Sequence, residues 1–189
     1  RIYETENGDV LLVERFDVSD DLPTHHFLSA NSLLQKPKVA ISDLATYYSY
    51  GELAEFIRHH TGEFAADATE LYKRMVFNVF IGNTDDHSRN HAFLYHFAGQ
   101  TWRMSPAYDI TPINNSKQHG IGLGDDGRYA SIDNLLSQAK RFGLNKAQAT
   151  KIIAEVESYT RQWPTHFKRF SNISDIDIKR LESVIPHIS

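Results

Sequence analysis

The chain has 189 residues, of which 41% are hydrophobic, with 11 Phe and 9 Tyr, enough to enclose the core of one ordinary domain. A net charge of -4 without a strong run of Lys and Arg argues against a broad nucleic-acid-binding face, and the absence of cysteine excludes disulfides and thiolate metal sites. No apolar run approaches a membrane span and no signal peptide opens the chain, so a reducing cytoplasm is the expected setting. Arg rather than Met at position 1 reads as a processed or truncated chain.

The first elements are strands. The turn signal Asn7-Gly8-Asp9 separates IYET from the Val/Leu-rich run Val10–Val13, predicting a short hairpin whose second strand is buried. Glu14-Arg15-Phe16-Asp17 and a polar loop, Ser19–Pro23, follow. The pattern then turns helical. Thr24 is placed to cap THHFLSANSLL, and ISDLATYYSYGELAEFIRHH carries apolar residues at helical spacing. A longer helix is predicted over about Ala66–Ile81, with Gly82 as its stop.

After a polar loop, HAFLYHF and TWRMS flank Ala98-Gly99-Gln100 as a second hairpin. The remainder is helical: SIDNLLSQAKRFG starts on a capping serine, KAQATKIIAEVESYTRQW is a long amphipathic stretch interrupted before Pro164, and SDIDIKRLESVI closes the chain. This order predicts a mostly helical α+β body.

The loop Gly82–His91, GNTDDHSRNH, holds two Asp, two His, two Asn and one Arg. Asp85 and Asn90 stand five apart within it, and Asp109 follows the second hairpin in SPAYDI. Phosphoryl transfer needs a carboxylate to orient the attacking hydroxyl and accept its proton. It also needs hard oxygen ligands that hold Mg²⁺ against the phosphates. An Asp, an Asn five residues on and an Asp beyond a hairpin supply those groups.

Together with the preceding VERFD, the combination GNTDDHSRNHAFL…WRMSPAYDI resembles the HipA family of bacterial serine/threonine kinases, the toxins of toxin–antitoxin pairs. The resemblance covers about Val10 to Ile113, more weakly the helical tail. The Asp-x-His-x-x-Asn form also resembles the catalytic loop of phosphatidylinositol 3-kinase-like enzymes. The family likeness implies Asp85 as the catalytic aspartate, His87 as the catalytic-loop histidine, and Asn90 and Asp109 as magnesium ligands. It further implies that Glu14, Phe16 and Asp17 belong to the segment joining two lobes, with backbone groups on adenine and Asp17 on the ribose. It also aligns Tyr108 with a tyrosine beside the magnesium-binding aspartate, which implies that Tyr108 too lies against the nucleotide.

By this resemblance residues 1–18 are the end of an N-terminal lobe and its connection, and 19–189 a kinase C-terminal lobe. ATP and Mg²⁺ are the implied cofactors. A small DNA-binding antitoxin and a protein of translation, such as an aminoacyl-tRNA synthetase, are the implied partners. Only thirteen residues precede Glu14, so the phosphate loop, the strand lysine and the family's autophosphorylated serine are expected outside this chain, leaving it inactive alone.

Blander readings attach to the neighbours. Asp86 reads as solvated surface, His91 as the start of a strand, and Arg89 as the partner of a nearby carboxylate. Asn83 reads as a cap on the preceding helix or a residue that shapes the loop, and Phe16 as apolar packing. HGIGLGDDG, His119–Gly127, mimics a phosphate cradle but lies after the metal motif, and reads as a flexible loop. Two other functions stay open. One is a two-metal phosphohydrolase built on Asp85, Asp86, His87, His91 and Asp109, and the other is a non-catalytic kinase-like binding module.

Overall fold

In the computed structural model, residues 2–6, 8–19, 22–34, 48–169, 173–186 and 188 are described. The chain is α+β. Strands β1 (Ile2–Thr5) and β2 (Gly8–Leu11) form an antiparallel hairpin, β3 (Val18–Ser19) and β4 (Leu22–Pro23) a second small one, and β5 (His26–Ser29), β6 (Ala92–His96) and β7 (Thr101–Met104) a three-stranded sheet. The helices are α1 (Ala30–Leu34), α2 (Tyr50–His60), α3 (Phe64–Ile81), α4 (Ile132–Ser137), α5 (Lys146–Thr160), α6 (Trp163–Phe167) and α7 (Asp175–Glu182).

The first hairpin forms where expected, with Thr5 paired to Gly8; Asn7 lies outside the described residues. Its second strand is not buried: Val10, Leu11, Leu12 and Val13 are all exposed. Local β-propensity specified the strand, but burial needs a facing layer. A larger correction concerns THHFLSANSLL. His26–Ser29 is a strand, with Phe27 opposite Leu94 and Leu28 opposite Phe93, and only Ala30–Leu34 is helical. Pairing with a strand more than sixty positions downstream overrides the helical pattern, because it satisfies the segment's backbone groups and packs its side chains against the sheet. Of the segment starting at Ile41, the residues to Tyr47 lie outside the described set; from Ser49, whose hydroxyl accepts from Glu52 N, α2 runs as expected.

Helix α3 is the spine. Leu71, Tyr72, Met75, Val76 and Val79 are wholly buried and share a core with Leu53 and Ile57 of α2, Ile152 and Ile153 of α5, and Phe93 of the sheet. Its first turn is tied to β7 by Asp67, which accepts both carboxylate bonds from Arg103 Nε at 3.0 and 3.1 Å. Gly82 ends it in the left-handed region at φ 72°, returning its N–H to Asn78 O and Val79 O. Ser131 caps α4, and Gly143 at φ 75° ends the 3₁₀ turn Ala139–Phe142 that follows. Pro164 opens the short α6, as an N-terminal proline should.

The glycine-rich stretch His119–Gly127 is built into the body rather than free. Ile121 and Leu123 are buried in the core, and Tyr50 N donates to Gly122 O at 2.9 Å. The Asn134 side chain accepts from Asp126 N at 2.8 Å and donates to Tyr129 O at 2.7 Å. Alternating apolar residues between the glycines were the overlooked signal: a solvated loop has no use for them.

Candidate active site

The second hairpin returns the chain to the end of α3, and this brings three separate segments together. A cleft of about 630 Å³ is lined by Leu11, Val13 and Glu14–Asp17 on one side, and by Tyr108–Thr111 on the other. All four residues expected to touch nucleotide, Glu14, Phe16, Asp17 and Tyr108, therefore line one space with Asp109. Phe16 lies 5.9 Å from the Tyr108 ring and 6.1 Å from the Phe27 ring, giving the cleft an aromatic wall suited to a flat base.

Asp17 is already engaged. Arg15 donates from Nε at 2.9 Å and Nη2 at 2.5 Å, and this hydrogen bonding holds the Asp17 carboxyl below the usual carboxylate range. A ribose hydroxyl would share the carboxylate with Arg15. Asp17 O also accepts from Thr24 N at 2.9 Å, fixing the joining segment to the body.

Two hydrogen bonds connect the cleft to the loop Gly82–His91. Tyr108 Oη donates to Arg89 O at 2.6 Å, and Asn90 Nδ2 donates to Asp109 O at 3.4 Å. Asn90 and Asp109 are thus brought together. Burial, and secondarily the charge of Asp109, pushes the Tyr108 hydroxyl up to about 12. Asp109 is exposed and has φ 56°, a left-handed conformation that costs an L-residue of order 1–3 kcal/mol and gathers at functional sites.

Within the loop, neighbouring side chains have opposite fates. Asp85 is exposed, whereas Asp86 is only 1% exposed, so the surface reading of Asp86 fails. Its Oδ2 accepts from Tyr50 Oη and from His91 Nε2, the latter at 3.0 Å. Burial pushes its carboxyl up, but the charge of His91 and the bonds from His91 and Tyr50 outweigh that and hold it below the usual range. His91 is buried rather than merely leading into β6. Asn83 shapes the loop as expected, its N–H on Asn78 O at 2.9 Å and its Nδ2 on Asn78 Oδ1 at 3.1 Å. The Arg89 side chain is exposed and makes no ion pair among the described residues. His87 is half-buried, and its Nδ1, itself buried, has no hydrogen-bond partner among the described residues.

Among the described residues no three His, Asp or Glu side chains gather as a metal nest. The five-residue hydrolase set therefore does not assemble, because Asp86 and His91 are spent on each other. The Asn90 amide and the Asp109 carboxyl could offer a hard cation one oxygen each, a partial set that phosphate and water would have to complete.

The sequence reading missed Tyr50, Arg74, Asn78 and His119. Arg74 donates Nη2 to Ser105 O at 2.7 Å, pinning the start of the segment that carries Asp109. The signal was available: Arg74 and Asn78 are polar residues four apart inside the apolar run LYKRMVFNVF, on one face with Gly82.

Residues 1–163 match the family of HipA-like C-terminal domains. The chain belongs to that family. A Haemophilus influenzae protein named "Putative kinase" is 32% identical over 73 residues, spanning 39% of this chain and 21% of the relative. The fold is similar to that of a chain in the Shewanella oneidensis MR-1 toxin–antitoxin complex of HipA, HipB and operator DNA, with a TM-score of 0.75 at 15% identity. That likeness covers 96% of this chain and 47% of the other, so the chain spans about half the length of its structural neighbour. Among the described residues no helix is long and apolar enough to cross a membrane.

Proposed function

We propose that this chain is the C-terminal lobe, after the joining segment at 1–18, of a HipA-like serine/threonine kinase that transfers the γ-phosphoryl group of ATP to a protein hydroxyl. One observation carries the reading. The Glu14–Asp17 segment and Tyr108–Asp109 line a single aromatic-walled cleft, which Tyr108 and Asn90 bond directly to the loop bearing Asp85. In this reading Phe16, Phe27 and Tyr108 bed the adenine, while Asp17, shared with Arg15, orients the ribose. Asp85, facing solvent, orients the acceptor hydroxyl and takes its proton as that oxygen bonds to the γ-phosphorus and the bond from the γ-phosphorus to the departing ADP oxygen breaks. His87 meets the charge that develops on the phosphoryl oxygens. Asn90 and Asp109 would hold magnesium, which would supply positive charge against the phosphates.

Because the fold neighbour is complexed with HipB and operator DNA, a small DNA-binding antitoxin is the partner we propose. A translation protein as acceptor rests on the family resemblance alone.

The test measures MgATP affinity by calorimetry and transfer of γ-labelled phosphate in the longest form of the protein carrying this chain. Asp109→Asn is expected to weaken both, since it removes a metal ligand. Tight transition-metal binding without nucleotide, together with phosphoester hydrolysis, would overturn the proposal in favour of a hydrolase. Neither binding nor transfer would point to a non-catalytic module.

A further inference from the structure

We infer that Asp86, held by Tyr50 and His91, is a positioning residue that presents Asp85 outward and seats Asn90; the inference rests on the proposed phosphoryl-transfer site. A carboxylate this deeply buried is costly unless it is fully partnered, so its presence demands a compensating arrangement. The structure supplies one from three directions.

From α2, Tyr50, itself wholly buried, donates its hydroxyl to Asp86 Oδ2 and in turn accepts from Asn78 Nδ2 of α3 at 2.9 Å. From the far end of the loop, His91 donates to the same oxygen at 3.0 Å. From the glycine-rich segment, Gly120 comes so close that a Cβ there would stand 2.7 Å from Asp86 O and 3.2 Å from Thr84 O. Residues 84–86 are therefore clamped by side chains below and by backbone above.

The geometric consequence follows from chain direction. With Asp86 drawn inward and the loop held on both sides, the adjacent Asp85 is left facing solvent. Asp86 also shares a cavity too small for one water with Asn90 and Tyr108, so the anchor sits directly behind the residues that lead to Asp109. Asn90 cannot drift inward without displacing this packed cluster. Asp86 touches no reacting atom in this arrangement, and its effect on turnover passes through Asp85 and Asn90.

The test compares Tyr50→Phe and Asp86→Asn with Tyr72→Phe, which removes a buried hydroxyl that donates to Leu135 O, remote from the loop. Hydrogen–deuterium exchange of amides 83–91, melting temperature, KM for ATP and kcat are read in all three. The expected result is faster exchange in 83–91 for Tyr50→Phe and Asp86→Asn, with kcat lowered about 10- to 100-fold, the range that misplaced catalytic groups produce, and KM for ATP raised as Asn90 is unseated. Tyr72→Phe is expected to lower the melting temperature without altering loop exchange or kcat. Equal effects of Tyr50→Phe and Tyr72→Phe on kcat, or unchanged loop exchange in the Tyr50 and Asp86 variants, would overturn the assignment. If the wild-type protein transfers no phosphate, the function proposal fails, and the exchange comparison alone still decides whether Asp86 orders the loop.

Discussion

The two adjacent aspartates of the loop differ in what surrounds them, and this sets opposite expectations for the same conservative change. Asp85 is exposed, so Asp85→Asn should leave stability within about 0.5 kcal/mol of wild type, as surface substitutions do. It should nevertheless depress phosphate transfer by about 10²–10⁴-fold with ATP affinity preserved, since only the proton acceptor is lost. Asp86→Asn breaks a buried pair, for which losses of about 3–5 kcal/mol are typical, so its melting temperature should fall. Thermal melts and transfer of labelled phosphate, run side by side, decide between them. A stable, fully active Asp85→Asn protein would sink the catalytic assignment. In the bare sequence DDH carries no sign of which aspartate is inward; that depends on Tyr50, which lies 36 positions away from Asp86.

At the scale of elements, the decisive joint is the end of α3. Gly82 serves the helix stop and the loop start together: its carbonyl accepts from Ile113 N at 3.0 Å and Asn114 N at 3.3 Å, so the segment beyond Asp109 is sewn to the same point. A Cβ at Gly82 would lie 2.5 Å from Asn114 O and 2.9 Å from Pro186 Cδ, on top of the φ of 72°. Gly82→Ala is therefore expected to destabilise by about 1–3 kcal/mol, the cost of a strained backbone position, with the clash against Asn114 adding to it. Urea denaturation measures it, and an unchanged midpoint would mean the joint relaxes freely. Helix, cap and following hairpin were legible here, because the 3.6-residue pattern, the terminal glycine and the Ala98-Gly99-Gln100 turn are local signals. His26–Ser29 was not, since its partner strand β6 is remote in sequence.

For the whole molecule, the buried titratable groups predict a direction of acid sensitivity. His119 is 3% exposed and burial pushes its imidazole below the ordinary histidine range; His96 is lowered too, by burial and then by His25, whose Nε2 stands 3.2 Å from His96 Nδ1. A lowered folded pKa means that the unfolded chain binds the proton more readily. The stability these histidines lend is present above their ordinary value near about 6.5 and is lost as pH falls through their folded values. Asp86, also lowered, adds a second loss beginning near about 3.9. The melting temperature should thus decline between about pH 7 and pH 5, and His119→Gln should flatten that part of the curve. A wild-type profile that stays level over that interval contradicts the account.

The sequence alone determined the residue types that phosphoryl transfer requires, their order around a hairpin, and the helices whose apolar faces and caps repeat locally. These rest on spacing, and spacing survives without coordinates. Only the tertiary structure decided that Val10–Val13 lie exposed, that His119–Gly127 belongs to the core, and that Asp86 rather than Asp85 turns inward. Each of those outcomes depends on what a distant segment places opposite the residue, and burial is a property of the pair, not of either sequence taken singly.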